Sequence, residues 1–155
     1  MGLYRETVLR TGDKEMSRNV THEIATSSID QAAVTAADTA TATSFETLSI
    51  VAPTDMPDMS VTMSIAVGTN VKVLFTAALT VDTPSYLDLY IVVDGSIVHQ
   101  TFYYCANNNE KTISIERFIT VTPGTRTFKI RWAVRNIAYT ARVYDRSLTI
   151  IEMKR

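Results

Sequence analysis

A single cysteine, Cys105, in a chain of 155 residues leaves no partner for an intrachain disulfide, so packing, self-association or both must hold the fold together. Five glycines are too few and too scattered to build a glycine-rich phosphate cradle, which excludes nucleotide chemistry of that kind. Metal ligation needs several convergent groups, and His22, His99 and Cys105 have no paired spacing. No metal and no other cofactor is expected. Neither sign of charge prevails: 15 basic residues stand against 16 acidic ones, and the positive footprint of a nucleic-acid binder is missing. No stretch approaches the ~20 apolar residues of a membrane-spanning helix, and the opening Met1-Gly2-Leu3-Tyr4-Arg5-Glu6 lacks the apolar core of an export signal. Neither nucleic acid nor a membrane is expected as a partner.

What the chain does have is 46% apolar residues, enough for a core, placed at every second position along most of its length. From Phe45 to Met153 eight such segments follow one another, bounded by turn residues. They predict an all-β, eight-stranded antiparallel sandwich. Leu48 and Ile50 end at Pro53; Val61, Met63, Ile65 and Val67 lead through Gly68-Thr69-Asn70 into Val71, Val73, Phe75, Ala77 and Leu79. Leu87, Leu89, Ile91 and Val93 run into Asp94-Gly95, a pair that accepts the positive φ angles of a type I′ turn, and Ile97 to Cys105 return antiparallel. Ile113, Ile115, Ile119 and Val121 share a parity with room for a bulge near Arg117-Phe118. Phe128, Ile130, Trp132 and Val134 alternate cleanly with polar residues, and Leu148 and Ile150 close the series.

Residues 1–44 differ: the first thirty are charged, and Gln31 to Ser44 are mostly Ala and Thr. They are read as an arm or linker, with 45–155 as the sandwich. Ser28 and Gln31 have capping-box spacing for a helical turn through Ala37, but threonine runs suit an extended arm equally well. A stretch with so little core of its own is ordered when a neighbouring subunit or partner holds it, and Leu3, Tyr4, Val8 and Leu9 are the apolar residues it could bury there.

Chemistry has few places to reside. His99 shares inward parity with Ile97 and reads as a partly buried histidine; Cys105 reads as a small apolar filler. Asp55 and Asp58, or Asn107 to Glu110, offer oxygen ligands, but Asx residues are what turns use anyway. Asp82, Asp88, Glu116 and Asp145 show no sign of convergence, and no nucleophile, base and orienting group can be named together, so an enzyme is not expected. More informative is the second face of several strands, where a monomer should be polar. Tyr90, Val92, Phe102 and Tyr104 stand there, with Val98, Ala133 and Tyr144, and aromatic residues on such a face mark subunit contacts or a covered surface. Tyr86, Tyr103, Tyr104 and Tyr139, near loops, are alternative stacking sites for a carbohydrate ligand.

Asp94-Gly95 closing a strand, Pro123-Gly124-Thr125-Arg126-Thr127-Phe128-Lys129-Ile130-Arg131-Trp132, and Arg146-Ser147-Leu148-Thr149-Ile150-Ile151-Glu152 resemble the last strands of the jelly-roll modules common in tailed-phage virion proteins. Thr41-Ala42-Thr43-Ser44-Phe45-Glu46-Thr47-Leu48 is similar to their first strand. The resemblance spans Thr39 to Met153 and consists of strand pattern with a few turn and aromatic positions. It implies a homotrimeric jelly roll without catalytic residues, made in the host cytoplasm and found in the virion. Its role would be that of a capsid decoration or cement protein bound to the major capsid protein or another virion protein, or that of a receptor- or carbohydrate-binding head of a tail fibre or tail tip. A short arm directly before the sandwich favours decoration, since a fibre head follows a long shaft.

Overall fold

The computed structural model describes residues 34–66, 70–106 and 109–153. These form nine strands and no helix: β1 (Val34–Ala42), β2 (Glu46–Leu48), β3 (Thr54–Ile65), β4 (Asn70–Val81), β5 (Ser85–Val93), β6 (Ser96–Cys105), β7 (Lys111–Thr120), β8 (Gly124–Val134) and β9 (Ala141–Met153). The eight segments read from the sequence are β2 to β9. β5 pairs with β6, β4 with β7, β3 with β8, and β1 and β2 with β9, so the chain is a nest of antiparallel pairs around one tip. That tip is Asp94-Gly95, whose φ angles of 49° and 85° are those a type I′ turn demands. Rolling the nest up adds the pairs β4–β9 and β5–β8. The products are two facing sheets, β1-β9-β4-β7 with β2 beside β9, and β3-β8-β5-β6. This double-sheet arrangement is a jelly roll.

Alternation decides which side chains meet between the sheets. On β8, Phe128, Ile130 and Trp132 face inward and are at most 1% exposed; Phe75 and Leu79 of β4 and Leu148 and Ile150 of β9 join them in the core from the opposite sheet. Cys105 is buried there as a filler, and burial pushes its thiol pKa up.

Three local expectations change. Residues 34–42, assigned to the arm, form β1: it pairs with β9 from Val34 opposite Met153 to Ala42 opposite Arg146, and Ala36, Ala40 and Ala42 pack half-buried against the core. The alternative helical turn does not extend over 34–37, while Leu3, Tyr4, Val8 and Leu9 lie outside the described residues. Ile97 is not inward. A register shift in β6 sets Ile97 opposite Val92 but His99 opposite Ile91, and the extra residue turns Ile97 out to 48% exposure. Conversely β7 runs against β4 in unbroken register from Thr120 to Lys111, with no bulge near Arg117-Phe118. Arg117 tolerates its inward parity because its Nε donates to His99 Nε2 at 3.0 Å, linking the edge strands β7 and β6 of the two sheets.

A buried arginine secures the break between β1 and β2. The side chain of Arg146 is fully buried; it donates to the carbonyls of Ser44 (2.6 Å) and Pro57 (3.1 Å), to Ser44 Oγ (3.1 Å) and to Asp58 Oδ2 (3.3 Å). Asp58, with φ of 61°, lies where β3 loops out of register with β8 between Asp55 and Ser60. One guanidinium thus fastens two irregular backbones from different sheets.

Candidate functional site

The two outer faces of the sandwich differ in chemistry. On β1-β9-β4-β7, register aligns Thr41, Ser147, Thr76 and Ser114 in one row, and hydroxyls pair among themselves: Thr76 with Ser147 at 2.8 Å, Thr39 with Thr149 at 3.0 Å. Phe118 is exposed here, with the Lys72 ammonium 5.7 Å from its ring centroid, and the exposed Phe45 ring packs on Tyr144 of β9 at 5.2 Å.

The outer face of β3-β8-β5-β6 grades from charged to aromatic. Toward β3, Asp55 accepts from Lys129 Nζ (2.7 Å) and Arg131 Nε (2.5 Å). Lys129 first, then Arg131, holds the Asp55 carboxyl below its ordinary range. In the middle, Tyr90, Val92 and Ala133 form a small buried cluster, and Gln100 Nε2 donates to the Tyr90 hydroxyl at 3.5 Å. Burial raises the Tyr90 pKa. At the free edge, β6 carries Phe102 at 57% exposure and Tyr104 at 49%, with Tyr86 of β5 at 40% between them and the strand end of β8.

These rings are organised by an arginine. The Arg135 guanidinium lies 4.7 Å from the Tyr86 centroid and 4.9 Å from that of Phe102, and Tyr86 meets Phe102 edge-on (5.5 Å) and Tyr104 tilted (5.2 Å). Arg135 is aimed by Asp88, whose two oxygens accept from Nε and Nη2 at 2.8–3.2 Å. That bond raises the guanidinium pKa and fixes its plane over the rings. The arrangement is an aromatic surface with a neutralised, part-exposed cation lying over two of its rings. It can bury area against another surface.

Of the four interface residues expected from sequence, Phe102 and Tyr104 are on this surface. Tyr90 and Val92 are instead covered within the chain, because the flanking outward residues of β6 and β8 close over the middle of the face. Tyr86 and Tyr104 of the stacking candidates are exposed. Tyr103 and Tyr139 are half-buried against the core, and the Tyr103 hydroxyl donates to the Ser114 carbonyl. The acids stay dispersed: Asp88 holds Arg135, Glu116 pairs with Lys72, Asp82 accepts from the Thr140 amide, Asp58 meets Arg146 and Asp55 two cations. Among the described residues no three His, Cys, Asp or Glu side chains are placed to hold a metal. Sequence reasoning passed over Arg135, which looks like any outward residue of an alternating strand. Its partners Tyr86, Asp88 and Phe102 lie on two other strands, and only the register joins them.

No protein family and no curated protein matches the sequence. Some solved structures are similar to part of the chain. The EclA C-terminal domain, a sugar-binding protein, has a TM-score of 0.48 at 9% identity over 69% of this chain and 78% of that one. The CBM36-1 domain of a multidomain xylanase from the hindgut metagenome of Trinervitermes trinervoides has a TM-score of 0.41 at 13% identity over 73% and 96%. The VP2 subviral particle of infectious bursal disease virus has 0.47 at 12% identity over 76% of this chain but 32% of its own. At identities and scores this low, the likenesses say nothing of ligand, partner or role.

Proposed function

We propose that this jelly roll is a non-enzymatic structural component of a virion, a capsid decoration or cement protein that works by associating with copies of itself and with a virion surface such as the major capsid protein. The observation that carries this reading is the aromatic surface at the free edge of β6, Tyr86, Phe102 and Tyr104 with Arg135 against the first two rings. Tyr, Phe and Arg are the side chains that the centres of protein contacts favour, and a rigid cluster of them costs little entropy to bury. The resemblance over Thr39 to Met153 supplies the virion setting. Binding to a lattice would stabilise the shell by mass action.

A glycan-binding head is the second reading, since the same rings are exposed. Arg135 already covers one face of Tyr86 and of Phe102, which favours protein over sugar. The test is the native mass of the purified protein, its co-sedimentation with capsids, and a glycan array. Self-association, capsid binding lost in Tyr104→Ala and a blank array are expected. A monomer that ignores capsids and binds glycans would overturn the reading.

A further inference from the structure

Each sheet has two edges, and three of the four are defended. β3 carries Asp55, Pro57 and Asp58 and leaves register with its neighbour. β7 carries Lys111, Glu116 and Arg117, and two of its edge carbonyls are occupied: Ser114 accepts from the Tyr103 hydroxyl and Glu116 from Arg117 Nη1 at 3.2 Å. β1 carries Asp38 and packs beside β3. Charges, proline and irregularity of this kind are how sheets avoid pairing with other chains.

β6 is the exception. Its ten residues, Ser96 to Cys105, contain no proline and no Asp, Glu, Lys or Arg. The tight turn makes Val93 and Ser96 a hydrogen-bonded pair, and β5 and β6 then exchange bonds at Ile91–His99, Leu89–Thr101 and Leu87–Tyr103. The backbone N–H and C=O of Gln100, Phe102 and Tyr104 therefore point off the edge. Lys111 Nζ reaching the Tyr104 carbonyl at 3.4 Å agrees with that direction; it caps the last of the three, so the pairing centres on Gln100 and Phe102. The side chains of the same residues point to the outer face, so a strand laid on this edge also meets the aromatic surface.

We infer that β6 is a strand-addition edge whose occupant is β6 of a second copy, paired antiparallel about a two-fold axis near Thr101, so that two four-stranded sheets become one sheet of eight. A self-pair suits this strand because an uncharged sequence places no like charges opposite each other. The exposed portions of three rings amount to roughly 300 Å² per copy. Two copies give about 600 Å², and the exposed Ile97 and Val98 with the strand backbones bring the contact toward the ~1,000 Å² of a specific interface. The inference rests on the self-association reading and narrows it. A two-fold contact gives an even number of copies, in place of the closed trimer that the resemblance implies.

The test uses the full chain. Gln100→Cys with a short bis-maleimide should yield covalent dimers, whereas Thr76→Cys on the opposite face and the unsubstituted chain, whose Cys105 is buried, should not. Phe102→Lys should halve the native mass while leaving the circular dichroism spectrum unchanged. Protection of the Gln100, Phe102 and Tyr104 amides from hydrogen exchange should fall on dilution. An oligomer that survives Phe102→Lys and yields no dimer through residue 100 would refute β6 pairing but leave self-association standing. A protein monomeric at all concentrations would remove both.

Discussion

Trp132→Ala tests the centre of the sandwich. Trp132 lies on β8 between Thr54 of β3 and Leu89 of β5, faces the opposite sheet and is 1% exposed. An aromatic side chain buries ~150–250 Å², so at about 25 cal/mol per Å² its transfer alone contributes roughly 4–6 kcal/mol. Alanine keeps a small part and the walls relax inward, which brings the net loss to about 3–5 kcal/mol. For a chain of this size each kcal/mol moves Tm by ~2–4 °C, so the midpoint should fall by roughly 6–20 °C. Because the variant lacks the only tryptophan, unfolding in urea is followed by circular dichroism. Two protein concentrations are compared, since an oligomer can spend the loss as dissociation. A loss below about 0.5 kcal/mol at both is what a surface substitution gives, and would mean that the ring is outside the core.

Arg146→Met should cost about 2–4 kcal/mol in the same assay, because the carbonyls of Ser44 and Pro57 lose their donor; an unmoved urea midpoint would deny the guanidinium that role. His99 accepts from Arg117 through Nε2, and burial first, then Arg117, lowers its pKa. Its contribution is full above the ordinary imidazole range and is lost as pH falls through the lower folded value. Melting temperature should therefore decline on mild acidification, and a His99→Gln curve parallel to that of the parent would contradict the assignment. A Cβ at Gly95 meets no atom within 4 Å, so in Gly95→Ala only the left-handed backbone at φ 85° opposes the substitution; a loss of about 1–2 kcal/mol is expected, and a neutral melt would mean that the turn changes type freely.

The strands were legible because one face of each is buried, and burial writes a period of two into the residues. Asp94-Gly95 was legible because few residue pairs accept two positive φ angles. β1 was not: Val34 to Ala42 packs Ala and Thr on an edge with little apolar alternation, and its strand state comes from β9 as a template. Ile97 and Arg117 were misplaced for a related reason, since a register shift or a cross-sheet hydrogen bond leaves no mark on the strand itself. At the outer face the exposed Phe102 and Tyr104 were found by parity. The burial of Tyr90 and Val92 and the clamp of Arg135 by Asp88 depend on which strands become neighbours, and that is a property of the roll-up.

Nested pairing also imposes an order in time. β5 and β6 meet across two residues, whereas Thr39 and Thr149 are 110 residues apart. Loop-closure entropy grows with separation, and each inner pair shortens the effective loop for the next, so zipping outward from Asp94-Gly95 is the least costly route. β9 comes last in the chain yet sits between β1 and β4 in its finished sheet. Until β9 is made, β1 has no template and β4 leaves open the edge that β9 will fill, so this sheet is the last part of the sandwich to lose an unpaired strand edge of the kind that recruits other chains.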